Sequence, residues 1–304
     1  MLFAALSVIW GIPYLLIRVA VRDLSPATLV FARTAPAALA LVPLALRRGE
    51  VGAVLRRWRW MVAFATIEIA VPWLLLGSAE EHLTSSFSAL LVASVPLVAV
   101  VLGGALRRRV GRPDDQAGPG IVEKVDARRL AGLGIGLAGV AVLAGVNVRG
   151  SNFLSLLEVT AVVVGYASGP LILSRRLSDL PGLGVVSVSF ALTAIVYAPW
   201  ALTHLPRHVT AEVGLSVAGL TVICTAVAFL VFFALVTEVG AVRATVVTYV
   251  NPAVALLLGV SVLGEPFTLG LGLGFPLVLA GSVLATGGRL AEPEGRAEGA
   301  DIAP

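Results

Sequence analysis

An all-α integral membrane fold, ten transmembrane helices arranged as two five-helix repeats of inverted topology, is predicted by three features of this sequence. Its 304 residues are 58% hydrophobic and 13% charged, with a mean hydropathy of +0.97, whereas a soluble domain carries about 25% charged residues. Its apolar residues fall into ten runs, each close to the roughly 20 residues needed to cross hydrocarbon. Short landmarks in the first half return in the second at a nearly constant offset.

Taken in order, the first span, 2–20, starts apolar at Leu2 without a basic n-region and passes Pro13 to reach Arg18, so it reads as a span rather than a removed signal peptide. The second, 26–46, carries one charge, Arg33, and the third, 60–79, carries Glu68 near its middle. The fourth, 84–106, contains Ser94-Val95-Pro96-Leu97, and the fifth, 130–147, contains Gly132 and Gly139. The sixth, 153–174, holds Glu158 and Pro170, and the seventh is 183–203. The eighth, 213–236, encloses the single cysteine, Cys224, which excludes disulfides within the chain and a cysteine-rich metal site. The ninth, 241–263, contains Asn251-Pro252, and the tenth, 268–288, contains Gly274 and Gly281. Residues 1–148 then form a first repeat, with a solvated loop at 110–129. Residues 152–290 form a second, and 291–304 a disordered cytoplasmic tail rich in Glu, Gly and Ala.

Charge sets the orientation. With the N-terminus inside, 17 of the 22 basic residues lie in cytoplasmic loops or the tail, four lie in outer loops (Arg18, Arg22, Arg149 and Arg207), and Arg33 is left within a span. The positive-inside rule therefore places both termini in the cytoplasm of a multi-pass protein in a bacterial inner membrane. The pI of 9.8 belongs to this pattern. It is not a nucleic-acid footprint, which would need a clustered basic face.

The repeat is read from four pairs in order. Pro13 with Arg18 matches Pro170 with Arg175 at an offset of 157, and Val42-Pro43-Leu44-Ala45-Leu46 matches Ala198-Pro199-Trp200-Ala201-Leu202 at 156. Pro96 matches Pro252 at 156, and Gly132/Gly139 matches Gly274/Gly281 at 142, the long loop accounting for the smaller offset. Five spans per half is an odd number, so the second half enters from the opposite side. Such folds place substrate near the midplane between the halves and alternate access by rocking one against the other, with proline-broken helices lining the cavity. Pro13, Pro96, Pro170 and Pro252 are the expected breaks and gating points.

Trp10-Gly11, Ser94-Val95-Pro96-Leu97, Asn251-Pro252, Leu263-Gly264-Glu265-Pro266 and Ala280-Gly281, in that order within a ten-span duplicated frame, resemble the EamA-like branch of the drug/metabolite transporter superfamily over nearly the whole chain. The resemblance implies ten helices, cytoplasmic termini, a central cavity, and export or exchange of amino acids, other metabolites or drugs. The first half departs from the pattern: where a Leu-Gly-Glu would end the fourth span, Arg107-Arg108-Arg109 stands instead.

A carboxylate in mid-membrane is costly and faces a cavity or a partner, so Glu68 is the leading candidate to bind an amino or cationic group or to carry a coupling proton. At the helical rise Arg33 lies roughly 10 Å and Glu68 about 17 Å below the same surface. Arg33 is thus its candidate counter-ion or a clamp for a substrate carboxylate. Trp10, Tyr14, Trp73, Tyr249 and Asn251 are further candidates on the cavity-lining spans, the aromatic residues being equally suited to core packing or interfacial anchoring. Glu158 is weaker, being within reach of the outer interface, and Glu80-Glu81 beside His82 reads as a solvated loop.

Gly134-Ile135-Gly136-Leu137-Ala138-Gly139 has dinucleotide-fingerprint spacing but sits inside one apolar span, where close helix packing is its role. His82, His204 and His208 are too scattered for a metal site, and no cofactor is expected. His-Glu-x-x-His, Gly-x-Ser-x-Gly and a phosphate-loop Gly-Lys-Ser/Thr do not occur, which argues against a membrane enzyme and against an ATP-driven pump. The expectation is a secondary transporter, an exporter of a small metabolite such as an amino acid, working as a monomer or homodimer. Efflux of drugs or lipophilic cations is the alternative and a membrane-embedded enzyme the least favoured reading.

Overall fold

The computed structural model describes residues 2–110, 127–147, 153–206, 208–228, 231, 232, 235 and 247–285. Most of the loop expected at 110–129, and the tail at 291–304, lie outside them. Among the described residues every regular element is helical. The helices are α1 (Leu2–Ala20), α2 (Pro26–Arg47), α3 (Glu50–Leu55), α4 (Trp58–Phe64), α5 (Val71–Glu80), α6 (Ser85–Val92), α7 (Val95–Val110), α8 (Ala127–Asn147), α9 (Phe153–Ile172), α10 (Gly182–Thr203), α11 (Ala211–Thr221), α12 (Val247–Val262) and α13 (Leu269–Ala285). Six segments are long and apolar enough to cross a membrane: Leu2–Ala20, Pro26–Arg47, Trp58–Glu80, Ser85–Leu102, Phe153–Leu177 and Gly182–Thr203. Four shorter apolar helices, Leu130–Leu143, Ala211–Thr225, Val250–Val262 and Leu269–Ala285, fall where the fifth, eighth, ninth and tenth spans are expected.

Local chemistry explains the starts and breaks. Ser25 caps α2 by accepting from the Thr28 N–H, with Pro26 in the first turn, and Thr84 and Thr210 cap α6 and α11 in the same way. The third span runs unbroken from α4 to α5 through a π-helical stretch, Ala65–Ala70. Pro72 has no N–H to offer the Glu68 carbonyl and its ring crowds that group, so widening the register by one residue relieves the conflict. The Ala70 carbonyl takes a hydrogen bond of 2.9 Å from the Tyr197 hydroxyl on α10. A second π-helical stretch, Val222–Val227, follows α11, and a third, Leu173–Leu177, follows α9. Ala65–Ala70 and Val222–Val227 differ by 157 in number, the same offset that relates Pro13 to Pro170.

The fourth span divides at Ala93 and Ser94, just before Pro96, and the loosened backbone is repaired: Ser94 Oγ donates to the Leu91 carbonyl at 2.6 Å and Ser282 Oγ to that of Ala93 at 3.3 Å. Pro13, Pro170 and Pro252 lie inside helices that continue past them. A missing N–H costs one helical bond, and neighbouring helices hold such a segment together in a membrane.

The helices pack in reciprocal sets. α2 lies against α10 and α8 against α13; α1 packs on α11 and α12, and α9 packs on α5, α6 and α7. The glycines at the α8–α13 seam face one another. A methyl at Gly281 would meet the Gly132 carbonyl at 2.6 Å, and one at Gly139 the Val278 nitrogen at 2.7 Å, so this motif is used for close approach. At one end of the bundle Asp23 accepts hydrogen bonds from the backbone N–H and hydroxyl of Thr210 at 2.9 and 2.8 Å. At the other, Arg57 donates to both carboxylate oxygens of Asp179 at 2.6 and 2.7 Å and to the Arg176 carbonyl at 2.6 Å.

Candidate functional site

The π-helical stretch of the third span sets the position of Glu68. Facing it on α9 is Gly169, where any added side-chain carbon would overlap the Glu68 carboxylate; one turn earlier a carbon on Gly165 would meet the Ile67 carbonyl at 2.6 Å. The two glycines therefore bring α9 against the widened turn and leave a notch that the carboxylate fills. Glu68 is half-buried, and its Oε2 is shielded from solvent with no hydrogen-bond partner among the described residues.

Arg33, on α2, is 8% exposed, and its guanidinium lies 3.6 Å from the centroid of the Trp73 ring. That ring leans on Phe190 of α10 at 5.8 Å between centroids. A cation over an indole face is held by the ring quadrupole, most strongly when desolvated. Arg33 Nε has no hydrogen-bond partner among the described residues. Arg33 and Glu68 do not form a salt bridge. The ion pairs among the described residues are Arg22–Glu212 and Arg57–Asp179, outside the spans. Tyr166, on α9 and three residues before Gly169, belongs to the same neighbourhood, near Glu68, Arg33, Glu80 and Trp73.

The other expected residues divide. Tyr14 lies nearby, packing with Tyr166 on the apolar cluster that contains Ile17, Leu76 and Val162. Trp10 packs on Phe232 at 5.3 Å in an apolar cluster with Leu6, Ala228 and Leu235. Asn251 meets α1 through its backbone, its carbonyl lying 2.9 Å from where a carbon on Gly11 would stand; two of the motifs behind the family resemblance thus touch. Tyr249 belongs to α12, but its side chain lies outside the described residues. Glu158 accepts from Ser78 Oγ at 2.7 Å.

Glu80 corrects the sequence reading. It ends α5 with 0% exposure and is not a solvated loop residue; Arg18 donates to its backbone carbonyl, and neither carboxylate oxygen has a hydrogen-bond partner among the described residues. Tyr166, Gly169 and Glu80 were the residues missed. The Gly165-x3-Gly169 spacing, with an aromatic residue set inside it, was the available signal for the first two. Glu265 has a structural role, accepting from the Ser85 and Ser86 N–H groups at 2.7 and 3.0 Å and from Ser86 Oγ at 2.5 Å, which caps α6. Gly264 before it has φ +66, a conformation glycine adopts freely, which accounts for the Gly-Glu pair.

The model of the EamA-like transporter family matches residues 1–113 and 153–287 of this chain. The chain belongs to that family. It is also 27% identical, over 95% of its own length and 90% of theirs, to proteins of Escherichia coli strains K12, O6:H1 and O157:H7 named as an uncharacterized inner membrane transporter, YedA. A crystal structure is similar in fold, with a TM-score of 0.64 and 21% identity over 94% of this chain and 95% of its own. Family and relatives make this EamA-like protein a membrane transporter.

Proposed function

We propose that this EamA-like protein is a secondary transporter that exports a small zwitterionic metabolite, an amino acid or a close analogue, across a bacterial inner membrane. It does so by alternating access between two five-span repeats of inverted topology, residues 1–148 and 152–290, with both termini in the cytoplasm. The observation that carries the reading is the reciprocity of the packing. What α1 of the first half does on α11 and α12, α9 of the second half does on α5, α6 and α7, and the π-helical stretches recur at the repeat offset. Two related halves meeting along matched seams can rock about them.

Glu68 and Arg33 supply opposite charges in the neighbourhood of Tyr166. A zwitterion would set its ammonium at Glu68 and its carboxylate at Arg33, satisfying the Oε2 and Nε atoms that lack partners among the described residues. Trp73 and Tyr166 would flank its side chain. Glu68 is also the group suited to carry a proton when substrate leaves. Efflux of lipophilic cations is less well supported, because the Trp73 face that would receive a cation already holds Arg33.

The test is counterflow of labelled amino acids, and separately of a cationic dye, into proteoliposomes at two pH values. Wild type is expected to exchange one amino-acid class, and Glu68→Gln to lose both that exchange and its pH dependence while melting like wild type. Dye exchange in place of amino-acid exchange would move the assignment to cation efflux. Full activity with unchanged pH dependence in Glu68→Gln would sink the role given to Glu68.

A further inference from the structure

At the end of the bundle where α4 begins and the π-helical stretch after α9 ends, a cavity of about 450 Å³ is lined by Arg56, Arg57, Arg59, Arg175 and Arg176 together with Trp58 and Trp60. Its charge is one-sided. Arg57 is committed to Asp179, and no acidic residue is among the lining groups. The guanidinium of Arg176 lies 4.5 Å from the Trp60 ring centroid and that of Arg59 5.6 Å from that of Trp58, so two of the cations are steadied against indoles. Trp58 and Trp60 are 58% and 39% exposed at the start of the apolar segment Trp58–Glu80, and exposed indoles at the end of a span suit the edge of hydrocarbon. Exposed apolar side chains stand close by in the chain: Leu55 ends α3, Val62 lies on α4 and Leu173 begins the π-helical stretch.

We propose that this pocket binds the phosphodiester headgroup of an anionic phospholipid, phosphatidylglycerol or a relative, with the acyl chains lying on the apolar surface beside it. Guanidinium forks match phosphate oxygens two at a time, and basic pockets between spans are suited to anionic headgroups. A free phosphate would satisfy the arginines but would leave the adjoining apolar surface unused, so the lipid is the better fit. The assignment does not depend on what the protein transports.

The experiment equilibrates the full-length detergent-purified protein with an equimolar mixture of phosphatidylglycerol and phosphatidylcholine and counts retained lipids by native mass spectrometry. Wild type is expected to retain phosphatidylglycerol in preference by roughly tenfold or more, the scale set by arginines at an anionic surface. Arg56→Ala/Arg175→Ala should fall to near parity. Arg47→Ala/Arg48→Ala, which removes equal charge from the same end of the bundle, should keep the preference. Arg56→Lys/Arg175→Lys keeps the charge without the fork; it should lose a few-fold of the preference and covers the case in which the alanine double fails to fold. Equal loss in the two alanine doubles would mean diffuse surface attraction and overturn the pocket. So would absence of any preference, or a preference abolished by inorganic phosphate at equal concentration.

Discussion

The carboxylate of Glu68 occupies the notch that Gly169 leaves in α9. A methyl group at position 169 must displace Glu68 or push α9 off the third span, and inserting a carbon into a packed seam costs about 1–3 kcal/mol. Gly169→Ala is therefore expected to lower the melting temperature and to reduce transport at least tenfold per folded molecule. Gly134→Ala, where nothing lies within 4 Å of the added carbon, should change neither. Parallel melts and uptake assays on the two variants check this; normal uptake by Gly169→Ala would show that the fit does not matter.

Arg33 and Trp73 form a second fitted pair, and each is expected to depend on the other. A desolvated cation–π contact is worth up to about 2 kcal/mol, so a double-mutant cycle with Arg33→Met and Trp73→Leu, read by thermal unfolding, should return a coupling of about 1–2 kcal/mol. Trp73→Phe keeps a ring face and should fall between wild type and Trp73→Leu. A coupling indistinguishable from zero would reduce the pair to mere proximity.

How far such features could be foreseen depends on whether their cause is local. The apolar runs are local, and six of them appear as helices long and apolar enough to cross a membrane, because a span must satisfy its own backbone. Glu68 and Arg33 stood out because a charge inside an apolar run is conspicuous wherever it points. The π-helical stretch at Ala65–Ala70 was not legible, since the conflict between Pro72 and the Glu68 carbonyl could equally have been relieved by a kink; the packing of α9 and the bond from Tyr197 accompany the choice made. Glu80 was misread because it sits one residue beyond the apolar run, and its contact with Arg18 of α1 is a long-range one that the local sequence does not show. Tyr166 looked like one more apolar-span residue until the packing of α9 on the third span brought it near Glu68 and Trp73.

Glu265 is expected to matter for stability and not for turnover. It accepts three hydrogen bonds from the first turn of α6, and a glutamine there can accept through one oxygen only, turning an N–H₂ group toward donors. Charge-assisted bonds to backbone N–H groups are the stronger kind, so Glu265→Gln should cost about 1–3 kcal/mol in thermal unfolding. Its transport rate, normalised to folded protein, should be that of wild type. A normalised rate that falls with the melt unchanged would place Glu265 in the transport cycle instead.

Asp23 offers a pH dependence whose direction can be worked out. Its carboxylate is held below the ordinary aspartate range chiefly by the hydrogen bond from the Thr210 backbone N–H, and further by that from the Thr210 hydroxyl. The charged form is thus favoured by folding, so the contribution of this contact is complete above the unfolded pKa of about 3.9 and disappears as pH falls through the lower folded value. Asp23→Asn removes the charge at every pH. The difference in melting temperature between wild type and Asp23→Asn should hold steady from neutral pH down to about 5, then shrink through the acid range toward zero as the wild-type carboxylate takes up its proton. Because the group is solvent-exposed, high salt should reduce the difference. A gap that stays constant down to strongly acid pH would mean that asparagine fails there for reasons of shape, and the electrostatic account of the Asp23–Thr210 contact would have to be abandoned.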